Sequence, residues 1–259
     1  VCSLYVEQES PLSQPVFSVE NGALVISAGE GVEIRYTTDG THPTAESTLY
    51  TGPLYTSGTY RAVEVQGDWT SPMATITFAG GTLFTDFTSE DWYFTFVDRA
   101  VSAGLFSGRG DEFDPCNNIT RAEFAAALAN LAGMDTSAYS GTSRFSDVSA
   151  TDWYSGAINW VASKGYMSGM GDGTFGASNS ITREQICVAL ANSAGLSSSG
   201  NSAAFNDDSE IASWAKSAVY ACRDLGIVTG MGDNTFAPKS NAQRAQACTM
   251  VLKAYDLGL

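Results

Sequence analysis

The chain has 259 residues, 44% of them hydrophobic, which is enough for two domains or one large domain with a real core. Acidic residues outnumber basic residues 28 to 13, and the formal net charge is -15 at pH 7. Because no run of Lys or Arg offsets this charge, we expect no binding to nucleic acid or to anionic membrane surfaces. No apolar run of about 20 residues is present, so we expect no membrane insertion.

The first 80 residues predict a short N-terminal segment followed by a β domain. Residues 1–10 have no pattern long enough to assign and form either a tail or an added edge strand. In residues 11–80 apolar and polar residues alternate, and turn pairs such as Asn21-Gly22 and Gly67-Asp68 separate the runs. This alternation predicts about six short strands in a small antiparallel, immunoglobulin-like sandwich.

Residues 35–54 carry the most individual motif of the β domain, RYTTDGTHPTAESTLYTGPL. Asp39-Gly40 predicts a turn with positive φ, and Pro43 fixes the backbone after it. A YTxDGxxPT turn followed by YxGP resembles the C-terminal domain of chitobiase, an accessory domain of bacterial surface proteins. The resemblance implies either a sugar-contacting loop or a spacer domain. His42, the only histidine, is predicted to be a surface loop residue and not a ligand.

The remainder of the chain contains three copies of one repeat. Trp92, Trp153 and Trp214 lie 61 residues apart. Such a period predicts a repeat architecture, here with copies at 81–143, 144–203 and 204–259. Each copy opens with an aromatic residue followed two positions later by an aspartate. These openings are Phe84-Thr85-Asp86, Phe145-Ser146-Asp147 and Phe205-Asn206-Asp207.

The first helix of each copy is predicted from apolar residues at a spacing of four that begin with the tryptophan. Each helix is therefore expected to bury one stripe. The stripes are Trp92, Phe96 and Ala100, then Trp153, Ala157 and Val161, then Trp214, Ala218 and Cys222. A glycine twelve residues after each tryptophan is expected to end the helix in a left-handed conformation. These glycines are Gly104, Gly165 and Gly226.

The second helix of each copy follows a glycine-rich turn and begins at a capping box. In the first two copies Thr120 and Thr182 stand three residues before Glu123 and Gln185, an arrangement that satisfies free amides at a helix start. The third copy has glutamine in place of the threonine. We expect its cap to be weaker or shifted to Asn241.

The five cysteines are an odd number and too few for a disulfide scaffold. Cys187 and Cys248 each follow a repeat arginine by four residues, and Cys222 occupies an alanine or valine position, so these three are predicted to be buried packing residues. Cys2 and Cys116 lie in predicted loops. They are either exposed or part of a long-range or intermolecular disulfide.

The threefold repeat resembles the S-layer homology (SLH) module. An FxD opening, a tryptophan helix, a glycine-rich GD loop and a TRAE-like box recur in order in all three copies. The resemblance implies a multi-domain α+β chain in which the β-sandwich precedes a mainly α, pseudo-threefold SLH trimer with a helical-bundle core. It also implies grooves between neighbouring modules that bind a secondary cell-wall polysaccharide, which in this family often carries pyruvylated sugars.

Candidate glycan-binding residues follow from this resemblance and from sugar chemistry. An arginine at a helix start offers paired donors to a carboxylate, and glycine allows close backbone approach. Tryptophan offers an apolar ring face, and aspartate accepts hydrogen bonds from sugar hydroxyls. The candidates are Arg121, Arg183, Arg244, Trp92, Trp153, Trp214, Asp86, Asp147, Asp207, Gly108, Gly169 and Gly230.

Each candidate also has a structural alternative. The arginines could form salt bridges, the tryptophans could anchor the core, the aspartates could cap helices or brace loops, and the glycines could only form turns. The third box lacks Thr and Glu, and Arg109 stands in a first loop that is one residue shorter, so fewer than three working grooves are expected.

The sequence thus predicts a secreted cell-surface protein that binds wall polysaccharide without catalysis. The sequence shows no Ser-His-Asp set, since its one histidine, His42, lies in a predicted surface turn, and it shows no zinc spacing or phosphate loop. The GDGTF-like loops carry too few carboxylates for calcium. We therefore expect no enzyme activity, metal or cofactor. The alternative is a self-assembling subunit of an S-layer or extracellular filament.

Overall fold

The computed structural model describes residues 10–20, 23–78, 84–198 and 205–259. The chain divides into two compact units, Val1–Thr95 and Phe96–Leu259. The predicted Asn21-Gly22 turn, Cys2 and most of the N-terminal segment lie outside the described residues.

The first unit contains an antiparallel β-sandwich, as predicted. A two-stranded sheet pairs β1 with β2, and a second sheet has the order β4-β3-β5-β6, with β7 also paired to β5. Leu24 of β2 packs with Tyr60 of β5 and Phe78 of β7, so one small core joins the two sheets. The strands are β1 (Val16–Glu20), β2 (Ala23–Ser27), β3 (Glu33–Thr37), β4 (Thr48–Leu49), β5 (Gly58–Gln66), β6 (Trp69–Thr70) and β7 (Ala74–Phe78).

The turn after β3 has the predicted geometry. Gly40 adopts φ +85°, a conformation that favours glycine. The Asp39 carboxylate accepts hydrogen bonds from the Thr41 amide at 2.9 Å and the Thr41 hydroxyl at 2.6 Å. His42 is exposed, as expected for a loop residue.

The repeat region is mainly helical, which confirms the predicted fold class. Each copy contributes two helices, and α1 starts within the last two residues of the first unit. Among the described residues no helix is long and apolar enough to cross a bilayer. The helices are α1 (Phe94–Ser102), α2 (Arg121–Leu131), α3 (Ser155–Ser163), α4 (Arg183–Ala194), α5 (Lys216–Asp224) and α6 (Arg244–Asp256).

The tryptophans depart from the predicted helix stripes. Trp92, Trp153 and Trp214 are 59%, 71% and 59% exposed. Each lies in a tight turn two residues before its helix begins, so the helical spacing does not place its side chain on the buried face. The prediction that each tryptophan belongs to the buried stripe was therefore wrong. The final members of the three stripes, Ala100, Val161 and Cys222, are fully buried as predicted.

The helix ends follow the sequence signals closely. Gly104, Gly165 and Gly226 adopt φ values of +71°, +74° and +74°, two residues beyond the last helical residue. Both predicted capping boxes are present, on Thr120 with Glu123 and on Thr182 with Gln185.

The third cap does not shift to Asn241. Gln243 is the N-cap of α6, and the Gln246 side chain accepts from its amide at 3.3 Å. Backbone bridges from Asn241 to Thr182 and from Gln243 to Asn118 hold the segment before the helix in register. Tertiary pairing therefore fixes the helix start where the local signal is weak.

The three copies close on one another around a common axis. The Ile119 amide donates to the Ala242 carbonyl at 3.0 Å, the Ala242 amide to the Ile181 carbonyl at 2.9 Å, and the Ile181 amide to the Ile119 carbonyl at 3.1 Å. All three side chains are fully buried. This closed ring of hydrogen bonds is the pseudo-threefold arrangement expected from the resemblance, and it brings the start of each second helix against the next copy.

The three cysteines predicted to be buried are buried. Cys187, Cys222 and Cys248 have no exposed surface, and burial raises the pKa of the Cys248 thiol to about 12. Cys116 is an exposed free thiol. Its proposed partner Cys2 lies outside the described residues.

Candidate functional site

The three repeat arginines are buried at the junctions between copies. Arg121 is only 6% exposed. Its Nε donates to the Phe175 carbonyl at 3.0 Å, its Nη2 donates to the Ser168 carbonyl at 2.5 Å, and its guanidinium stacks 4.7 Å from the centre of the Phe175 ring. The arginine of the first copy thus joins the loop of the second.

The same junction recurs around the ring. Arg183 of the second copy donates through Nε to the Phe236 carbonyl of the third at 2.8 Å. Arg244 of the third copy donates to the Phe113 carbonyl of the first at 2.8 Å. Each arginine is therefore a structural link between modules. Burial lowers the pKa of all three guanidinium groups below the ordinary value, but that value is so high that they stay charged.

The arginines differ in whether a carboxylate compensates their charge. Arg244 lies 3.4 Å from Glu123. Within the described parts of the chain neither Arg121 nor Arg183 has an ion-pair partner at salt-bridge distance. Asp147 acts electrostatically on Arg121, but both of its carboxylate oxygens accept hydrogen bonds from backbone amides. Among the described residues the buried Arg121 guanidinium thus has no direct ion pair, and the nearby Asp147 acts on it only electrostatically.

Asp147 and Asp207 brace the glycine-rich loops of their own copies. The Asp147 carboxylate accepts from the amides of Phe175, Gly176 and Ala177 at 2.7 to 2.9 Å. Asp207 accepts from the equivalent amides of the third copy at 2.7 to 2.8 Å. Asp86 is half-buried in the first unit. The Phe175 amide donates to Asp147, and the Phe175 carbonyl accepts from Arg121 Nε, so the aspartate helps to position the arginine through this residue.

We expect Asp147→Asn to lower the free energy of unfolding by about 1–2 kcal/mol at neutral pH, a modest value because the carboxylate is partly exposed. Burial acts to raise the pKa of Asp147, but the three loop amides outweigh it and hold the pKa below its usual value. The stabilisation is therefore present above the unfolded pKa of about 4 and is lost as pH falls through the lower folded pKa.

Urea unfolding across acidic and neutral pH measures this effect. The wild type and the Asp147→Asn variant should converge at the acidic end and diverge towards neutral pH. Asp172→Asn is the comparison for an exposed carboxylate of the same loop: the hydrogen bonds from Thr174 also hold the pKa of Asp172 below its usual value, so its profile should differ from wild type in the same direction but by less. A parallel pH profile for wild type and Asp147→Asn would contradict the bracing role.

Two clefts in the second unit each combine parts of all three copies. The first cleft is lined by the loop 105–109 and Glu123 of the first copy, Trp153 of the second and Arg244 of the third. The second cleft is lined by the loop 166–170 and Gln185 of the second copy, Trp214 of the third and Arg121 of the first. Their volumes of about 620 and 350 Å³ lie in the range of small-ligand sites.

Each cleft brings together an arginine, an exposed tryptophan and a glycine from the predicted set. Gly108 lines the first cleft and Gly169 the second. A Cβ on Gly169 would lie 2.6 Å from both the Phe145 ring and the Thr174 carbonyl, so the loop requires glycine there for packing. In the third loop Gly230 adopts φ +89°. Glycan contact by these residues remains a prediction.

The cleft residues that the sequence did not predict are those at the third helical position and the loop tip. Glu123 and Gln185 were assigned only to capping boxes, yet both line clefts. Arg109 and Met170 occupy corresponding places in the two loops and also line the clefts. Their correspondence in the repeat is visible in the sequence, but their position beside an arginine from another copy depends on ring closure.

Comparisons with known proteins agree with the repeat assignment. The model of the S-layer homology domain matches residues 83–125, 144–187 and 204–248, which together make up about half of the chain. The model of the chitobiase/beta-hexosaminidase C-terminal domain matches residues 18–77.

Similar curated proteins include enzymes and surface proteins. The chain is 34% identical over 62% of its length to the Exoglucanase XynX of Acetivibrio thermocellus. It is 29% identical over 58% to the Cellulosome-anchoring protein of that organism and 32% identical over 50% to the S-layer protein EA1 of Bacillus anthracis. The matches span 15%, 34% and 15% of those proteins, so they cover only part of each relative.

The predicted localisation agrees with these findings. The S-layer homology domains and the names of the surface relatives confirm a secreted, cell-surface protein. The matched segments contain both arginine-bearing helix starts and the tryptophans that line the two clefts. The chain therefore belongs to the S-layer homology domain family and carries three copies of that domain, which follow a chitobiase/beta-hexosaminidase C-terminal domain in the sequence.

Proposed function

We propose that this chain holds a secreted protein on the cell wall by binding an acidic wall polysaccharide, non-covalently, in the clefts between its S-layer homology modules. The observation that carries the proposal is Arg121. Its guanidinium lines the second cleft with no carboxylate partner at salt-bridge distance among the described residues. A buried charge without a counter-ion is costly, and a sugar carboxylate in the cleft would supply one.

The remaining cleft residues suit a sugar. Trp214 and Trp153 are exposed aromatic residues that line the clefts, where an apolar sugar face can pack. The Lys239 Nζ lies over the Trp214 ring, 6.0 Å from its centre. Loop amides and carbonyl groups around Gly169 offer hydrogen bonds to hydroxyls. A carboxylate on the sugar, such as that of a pyruvyl ketal, would pair with the arginine through charge-assisted hydrogen bonds.

This role needs no catalysis by the chain itself. Relatives such as the exoglucanase are named as enzymes, but the match covers 15% of that protein. One relative is named an anchoring protein. We therefore propose that the modules attach the chain to the wall, with the module boundaries at 81–143, 144–203 and 204–259.

The test is retention of the purified chain on wall polysaccharide. Trp214→Ala should weaken retention about tenfold, and its 59% exposure means that the fold should tolerate the change. Tyr255→Ala is the matched control, because Tyr255 is a 47% exposed aromatic residue outside the lining of both clefts. Polysaccharide stripped of its pyruvyl groups should retain the wild type less. Equal retention by both variants would contradict binding in the second cleft.

A second candidate function is assembly into a surface lattice. It is favoured by the relative named as an S-layer protein and by the side chains of Val16 and Val19 on β1, which are 61% and 59% exposed. Electron microscopy of the purified chain tests it, and a sample that stays monomeric at every concentration would count against it.

A further inference from the structure

The clefts differ in charge at one pair of corresponding positions. In the first cleft Arg109 at the loop tip faces Glu123 at the third position of α2. In the second cleft the corresponding residues are Met170 and Gln185. The third copy repeats the neutral pair, with the Gln246 amide 3.9 Å from the Met231 sulfur. One copy therefore has a charged rim pair where the other two have a thioether and an amide.

In the first cleft the positive charges are neutralised by carboxylates of the protein itself. Arg109 forms ion pairs with Glu123 and, at 2.6 Å, with Asp114. Glu123 also lies 3.4 Å from Arg244. Two guanidinium groups thus face two carboxylates, and Arg244 already has a partner. A ligand carboxylate entering this cleft would have to approach Glu123 or displace it.

The lining of the second cleft contains one charged residue, Arg121, and no carboxylate. Its Arg121 lies beside Gln185, whose side-chain oxygen accepts from the Thr182 amide at 3.1 Å and bears no charge. Met170 at the rim has no hydrogen-bond donor, so Arg121 is the charged group to which a ligand carboxylate can bind in this cleft. Gln185 keeps the capping box that Glu123 forms in the first copy, so the charge difference does not alter the helix start.

We infer that the clefts divide two kinds of sugar between them: the second cleft selects a sugar that carries a carboxylate, and the first takes a neutral sugar. The rim pairs Arg109–Glu123 and Met170–Gln185 set this difference. The inference rests on the proposed function, since it names the ligand class of each cleft. A chain of net charge -15 can still bind an acidic polymer in this way, because the lining of the second cleft presents a guanidinium and no carboxylate.

Two probes that differ only in the carboxylate test the inference. One is a methyl hexoside with a pyruvyl ketal, and the other is its isopropylidene analogue, in which a methyl group replaces the carboxylate. The chain has 5 tryptophans, so indole N–H resonances can be assigned by single Trp→Phe variants. Trp153 then reports on the first cleft and Trp214 on the second.

In the wild type the acidic probe should move the Trp214 resonance with a dissociation constant about tenfold lower than that of the neutral analogue. The Trp153 resonance should show no such preference. The double variant Met170→Arg/Gln185→Glu should abolish the preference at Trp214. The reverse variant, Arg109→Met/Glu123→Gln, should create it at Trp153.

The outcomes separate the inference from the proposed function. If both resonances show the same preference in the wild type, or if the exchanges leave the preference where it was, the inference is overturned while glycan binding stands. If neither probe moves either resonance, both the inference and the proposed function are contradicted. Because each exchange installs a pair already present in another copy, unchanged far-UV circular dichroism is expected for both variants and verifies their folding.

Discussion

Replacing Arg121 with alanine is expected to lower the free energy of unfolding of the unit Phe96–Leu259 by about 3–5 kcal/mol, because it removes two hydrogen bonds from a charged donor, each worth about 1.5–3 kcal/mol. The change removes the donors to the Phe175 and Ser168 carbonyls and the guanidinium stacked on the Phe175 ring. The carbonyl of the buried Phe175 would be left without this partner, whereas water can reach the carbonyl of the exposed Ser168. Urea unfolding of the whole chain, followed by far-UV circular dichroism, measures the loss.

Arg144→Ala is the matched control for this prediction. Arg144 also lies over a phenylalanine ring, 4.9 Å from the centre of Phe145, but it is exposed. Its removal should cost about 0.5–1 kcal/mol, the value of an exposed cation–π contact. Comparable losses for the two variants would show that the main-chain hydrogen bonds of Arg121 contribute little.

This stability effect changes how binding by arginine variants is interpreted. An alanine at position 121 would weaken retention on polysaccharide both by opening the junction and by removing the charge. Loss of retention alone therefore does not assign ligand contact to Arg121. The exposed Trp214, with no buried hydrogen bond to lose in the junction, gives the cleaner binding test.

Replacing Phe175 with alanine is expected to have an effect of similar size, about 3–5 kcal/mol, because a fully buried aromatic side chain leaves a cavity. Phe175 is also where three interactions meet. Its amide bonds Asp147, its carbonyl bonds Arg121, and its ring packs against Phe145 with centroids 5.3 Å apart. Loss of the ring should loosen both the loop and the arginine.

A double-mutant cycle distinguishes a simple cavity from this coupled junction. If the ring and the guanidinium act together, the combined loss for Arg121→Ala and Phe175→Ala should fall short of the sum of the single losses by about 1–2 kcal/mol. Additive losses would contradict the coupling.

Features determined by local chemistry could be predicted from the sequence. The left-handed glycines such as Gly165 and the capping boxes on Thr120 and Thr182 need only a few neighbouring residues. Repeat spacing then located the three copies. The buried cysteines followed because each corresponds to a small residue in another copy.

Features that depend on tertiary closure were less predictable. The helical spacing that suggested a buried Trp153 does not apply two residues before the helix, where the side chain turns outward. The start of α6 is fixed by bridges from other copies and not by its own weak box. Above all, the repeat does not reveal that Arg121 meets the loop of the following copy, since that pairing appears only when the ring closes.

The most direct test of the central claim is to observe Arg121 itself while ligand binds. In the wild-type chain, purified wall polysaccharide should shift the Arg121 Nε–H resonance in a saturable way, because a sugar carboxylate pairs with the guanidinium. The exposed Arg144 provides an internal reference that should stay in place. Polysaccharide freed of pyruvyl groups should produce little shift. An Arg121 resonance that does not move while the chain is still retained on polysaccharide would show that this arginine only links the modules and that the wall ligand binds elsewhere.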